Sequence, residues 1–118
     1  MSSRALGRGL GAAHLGWGIA CLAVPGQIAA LAGTQGRSGG ALFVRILGGR
    51  HLAAGLGVLA VPTGAVVHLT AVVDAIHAAT MVGWAVDDRR ERGPAAVNAA
   101  VAAGWSVAGR LVARRMER

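Results

Sequence analysis

The chain has 118 residues, enough for one domain, with 54% hydrophobic and 14% charged residues, against roughly 25% charged in soluble domains. Its net charge is +7, carried by twelve arginines and no lysine. The arginines are scattered over helix ends, loops and apolar segments with no aromatic platform, which excludes the continuous basic stripe of a nucleic-acid binder.

The mean hydropathy of +0.54 points to a lipid environment. Gly and Ala abound, Tyr is absent and Phe occurs once. Small residues suit helices packed closely in a bilayer, where van der Waals contact replaces the hydrophobic drive. An Arg-only, Ala/Gly-rich composition fits a GC-rich bacterial genome, so the expected location is a bacterial inner membrane.

Residues 1–7 read as a short polar tail. The first helix is expected over residues 6–24, ended by Pro25-Gly26. About eighteen helical residues rise about 27 Å, close to the hydrocarbon thickness. The run lacks a small-x-small cleavage site, so no cleavable signal peptide is expected. Cys21, the single cysteine, is expected to pack as a small hydrophobe. Residues 27–32 have the composition of one or two interfacial turns, and GTQGRSGG over 33–40 that of a loop.

The second helix is expected over 41–61, stopping at Pro62-Thr63-Gly64, and the third over 65–86. So short a connection makes these two antiparallel neighbours. A charged cluster, Asp87-Asp88-Arg89-Arg90-Glu91-Arg92, leads to Gly93-Pro94, with Pro94 suited to a first helical position. The fourth helix follows over 95–113 and ends in Arg114-Arg115. The expected fold is thus an all-α, four-helix transmembrane bundle with short loops, one integral membrane domain over 1–118 and both termini on one side. Arg4, Arg8, Arg110, Arg114, Arg115 and Arg118 fall on that side, against Arg37, Arg89, Arg90 and Arg92, which places the termini in the cytoplasm.

Two segments share a frame. Residues 8–25, RGLGAAHLGWGIACLAVP, and 45–62, RILGGRHLAAGLGVLAVP, agree at ten of eighteen positions at an offset of 37. Each copy is one span, so the copies cross in opposite directions, as in inverted-repeat transporters. Convergence of two Ala/Gly/Leu helices is the other explanation.

Ionisable groups in hydrocarbon face a partner or water. Arg50, His51, Asp74 and His77 fall at similar depth in helices two and three, and Asp74 and His77 share a face with Thr70, Met81 and Trp84. Ala71, Ala75 and Ala79 offer a smooth opposite face. An Arg50–Asp74 ion pair would clamp the two helices. The alternative is a mid-membrane pocket for an anionic headgroup, a quinone or a proton. His14, His51, His68 and His77 raise haem or metal binding, and His51 and His77 fall at the common depth that bis-His haem ligation requires. No Cys-x-x-Cys-His or His-x-x-x-His spacing supports it, and no metal or cofactor is expected.

Arg8 and Arg45 are placed to snorkel to headgroups, and Arg110, Arg114 and Arg115 to anchor on anionic lipid. Ala96, Ala100, Gly104 and Ala108 recur at every fourth position of helix four, with Gly48 and Gly55 on helix two and Gly11 and Gly18 on helix one. These are close-packing faces, for the monomer or for a partner chain.

The first helix ending in Pro25, the turn ending in Gly33, the run R45-I-L-G-G-R50-H51-L-A-A-G55 and Asp74 resemble small four-helix bacterial membrane proteins often grouped as DoxX-like. In similar sequences the residue after the second Arg is often acidic; here it is His51. The resemblance implies a four-helix membrane bundle and no established activity.

The expected function is that of a structural or accessory subunit packing on other membrane chains, or in a homo-oligomer, through its Gly/Ala faces. The alternative is a lipid, quinone or other small-molecule binding or transport module built on Arg50, His51, Asp74 and His77. A membrane enzyme ranks last: no nucleophile–base pair, phosphate loop or metal motif is present, so no catalytic residue is named.

Overall fold

The computed structural model describes residues 1–31 and 40–118. They form five helices: α1 (Ser3–Ala23), α2 (Pro25–Leu31), α3 (Gly40–Ala60), α4 (Gly64–Asp87) and α5 (Arg92–Met116), with no strand among the described residues. The expected loop over 33–40, with Arg37, lies outside them apart from Gly40, the first residue of α3.

Two elements extend further than the sequence suggests. The polar start is helical from Ser3, because the Ser2 side chain accepts a hydrogen bond from the Ala5 N–H and caps the first turn. Helix α5 begins at Arg92, so Pro94 stands third in it rather than first; its missing N–H is still one the first turn leaves unpaired. At Val24-Pro25 the chain turns by 102° into α2, which is helical where one or two turns were expected.

Helices α3, α4 and α5 are each long and apolar enough to cross a membrane; α1 and α2 meet that standard only as a bent pair. The distribution of side chains is compatible with a membrane location. Buried positions are largely Gly, Ala, His and Asp, whereas Leu42, Ile46, Leu69, Ile76 and Val86 face outward.

The closest pairings are α1 with α3 and α4 with α5. The α4/α5 seam is antiparallel: Ser106 Oγ donates to Ala71 O at 2.8 Å, and Arg92 Nε to Ala85 O at 3.0 Å. A methyl added to Gly109 would come within 2.9 Å of Ala71 Cβ, so glycine sets how near these helices lie. Helices α3 and α4, expected to be close neighbours, form a hairpin whose Thr63 caps α4 but touch only sparsely along their length. A short turn fixes direction, not contact; each helix finds its small-residue complement elsewhere.

The α1/α3 seam is where the two copies of the frame meet. A methyl on Gly18 would sit 2.7 Å from Leu52 N and 2.8 Å from Gly48 O; one on Gly55 would sit 2.7 Å from Leu15 N and 2.7 Å from Gly11 O. Each contact becomes the other when the copies are exchanged, so the copies pack antiparallel about a local two-fold. Along these helices an apolar cluster lies on either side of the middle. Leu10, Val58, Val67 and Ala113 form one; Cys21, Ala29 of α2 and Val44 form the other. The polar residues lie between them.

Candidate functional site

Gly11, Gly18, Gly48 and Gly55 let the α1 and α3 backbones touch, which brings the histidine of each copy to the crossing. His14 and His51 are 1% and 2% exposed, and Nδ1 of one lies 2.8 Å from Nδ1 of the other. Trp105 of α5 stacks on His14 at a centroid distance of 4.1 Å and closes that side. Asp74 enters from α4, 1% exposed, and Arg50 from α3.

The contacts make a ring of four side chains. Arg50 Nη1 donates to Asp74 Oδ1 at 2.8 Å, and Arg50 Nη2 lies 3.1 Å from His51 Nε2. His51 meets His14 through the Nδ1 pair, and His14 Nε2 lies 3.8 Å from Asp74 Oδ2. That last gap is too long for a hydrogen bond. Both of its atoms are buried and without another partner among the described residues.

A guanidinium only donates, so His51 Nε2 accepts and, in a neutral ring, the proton of His51 is on Nδ1. His51 Nδ1 then donates to His14 Nδ1, which puts the proton of His14 on Nε2, toward the carboxylate. The three hydrogen bonds thus agree in direction, and the charges of Arg50 and Asp74 cancel. Such a network ties α1, α3 and α4 together, and a charge pair whose carboxylate is buried is costly to break from one side.

Three of the four residues proposed from the sequence, Arg50, His51 and Asp74, meet here. His77 does not join them: its Nε2 lies 3.1 Å from Asn98 Oδ1 on α5, and its ring faces Phe43 at 6.4 Å. His14 takes the place expected for it. His14, Trp105 and Asn98 were not read as site residues. His14 had a signal in the repeat, since it occupies the position of His51; Trp105 and Asn98 had none. Among the described residues no group of three or more His, Cys, Asp or Glu could hold a metal ion.

The sparse contact of α3 with α4 leaves a cleft of about 270 Å³ beside the ring. Ala53, Ala54 and Gly57 form one wall and Val66, Leu69 and Val73 the other, with Arg50, Asp74 and Thr70 completing the lining. The Arg50 side chain is 26% exposed.

Arg8, Arg45, Arg110, Arg114 and Arg115 are all exposed, with Arg8 and Arg45 in the first half of α1 and α3 and the other three toward the end of α5. His68 is exposed near the start of α4. On α5, Ala96, Ala100 and Gly104 of the small-residue row are exposed in the monomer, and the row that the monomer buries is Ala95, Ala99, Ala102, Ser106, Gly109 and Ala113.

No family model, curated protein or solved structure matches the chain.

Proposed function

We propose that this is a four-span protein of a bacterial inner membrane, with α1 crossing as the first span and both termini cytoplasmic, that binds an apolar small molecule in the α3/α4 cleft. Gly7 of α1 beside Met116 of α5 supports termini at one end of the bundle, and the arginines there favour the cytoplasm. The observation that carries the binding role is a partly exposed guanidinium, paired with Asp74, at a cleft whose two walls are apolar. Ligand sites combine apolar walls with a few polar groups that fix orientation. A purely structural clamp has no need of an open approach to Arg50.

The test is extraction of the full chain in mild detergent, followed by mass spectrometry of retained small molecules. A lipid or quinone retained by the protein and lost from Gly57→Leu supports the role. Equal retention by both argues against it. Gly57 suits this substitution because its added Cβ meets nothing within 4 Å.

An accessory-subunit role is favoured by one specific observation: Ala96, Ala100 and Gly104 present a small-residue face of α5 that the monomer leaves uncovered. A stoichiometric second chain in the same preparation, released by Gly104→Leu, would support that role instead.

A further inference from the structure

The cleft beside Arg50 carries a charge balance that selects its occupant, an inference that rests on the cleft being a binding site. Asp74 already neutralises Arg50 across 2.8 Å. The hydrogen-bond directions make both imidazoles neutral, so the ring sums to zero. Arg50 commits one N–H of Nη1 to Asp74 and one of Nη2 to His51, which leaves each terminal nitrogen a second N–H, and its buried Nε has no partner among the described residues. The walls bring no further ionisable group: Ala53, Gly57, Leu69 and Val73 are apolar, and the Thr70 hydroxyl is spent on Val67 O at 2.8 Å.

The geometry points to an uncharged amphiphile as the occupant, its apolar chain along the α3/α4 walls and a carbonyl or hydroxyl oxygen accepting from Arg50. A carboxylate or phosphate would set a second anion beside Asp74 in a medium that hydrates neither. An ammonium would face the guanidinium. A neutral oxygen takes a donor without disturbing the balance. Ester lipids and quinones share this acceptor chemistry.

The test uses the immobilised full chain in detergent at alkaline pH, with tritiated methyl oleate and tritiated oleate as probes and decylbenzoquinone as unlabelled competitor. Methyl oleate is expected to bind at least about tenfold more tightly than oleate, a difference of about 1.4 kcal/mol. Efficient displacement of the ester by decylbenzoquinone identifies a quinone-type occupant; failure to displace identifies an ester. Asp74→Asn leaves the site cationic, so oleate should gain at least about tenfold while the ester does not. Gly57→Leu should remove both. Oleate binding the unaltered chain as tightly as its ester overturns the charge argument and leaves the cleft role standing. Binding of neither labelled probe overturns both. The comparison on the unaltered chain and Gly57→Leu do not depend on Asp74→Asn folding.

Discussion

His14 and His51 meet through the same ring atom, Nδ1 to Nδ1 at 2.8 Å, from equivalent positions in two copies of one sequence frame. A hydrogen bond between like atoms on a local two-fold is not itself symmetric, because one side must donate. Arg50 breaks the tie. Its counterpart in the first copy is Ala13, so only His51 receives a guanidinium, and only His51 is left to donate.

The tautomers follow and are measurable. Nitrogen-15 spectra of histidine-labelled protein in detergent should show His51 protonated at Nδ1 and His14 at Nε2, with a coupling across the shared hydrogen bond. Two rings both protonated at Nε2 would rule out the directed network.

Asp74→Asn keeps the shape and leaves the guanidinium uncompensated. The expected loss is about 3 kcal/mol, read as a fall in Tm in detergent. Adding Arg50→Gln should return at least about 1 kcal/mol, because the two residues act as a pair. Strict additivity of the two losses would mean that the pair does not stabilise the bundle.

The α1/α3 crossing depends on glycine where the backbones touch. Gly18→Ala and Gly55→Ala each place a methyl about 2.7 Å from backbone of the other helix, and each should cost at least about 2 kcal/mol in thermal stability. Gly49→Ala, where the added Cβ meets nothing within 4 Å, should leave Tm unchanged or raise it. Equal tolerance at all three positions would contradict the crossing.

His77 and Asn98 form a separate contact between α4 and α5. His77→Ala should cost about 1 kcal/mol and should add to His14→Ala within about 0.5 kcal/mol. Thermal denaturation of the two single variants and the double variant checks this. Strong coupling would draw His77 into the ring.

Three of the ring's four residues, Arg50, His51 and Asp74, were legible in the sequence. Arg50 and Asp74 stand out because charge in an apolar run demands a partner, and counting along a hairpin gives their depth. His14 was hidden because depth along α3 and α4 says nothing of α1; only the antiparallel meeting of the two copies, Gly11 at Gly55 and Gly18 at Gly48, brings it level. His77 misled because α4 borders two neighbours, and three residues past Asp74 the chain already looks to α5. On α5 the small-residue row expected to pack in the monomer or on a partner chain stands one residue out of phase with the row that the monomer buries. When lipid and protein sides are both apolar and small, hydropathy cannot choose between Ala95 and Ala96. Helix lengths were legible, since Pro25 and Pro62 punctuate them, whereas the cap at Ser2 was not.

The order of the charges along the chain bears on how the protein enters a bilayer. Asp74 is the first acidic residue in the sequence, and four of the arginines described before it have no carboxylate to meet until α4 has been made. In a chain that spans a membrane, as proposed, Arg50 would arrive at the translocation machinery without its counter-ion. The turn at Thr63 would let α3 wait and go in together with α4 as one hairpin, with the guanidinium already neutralised.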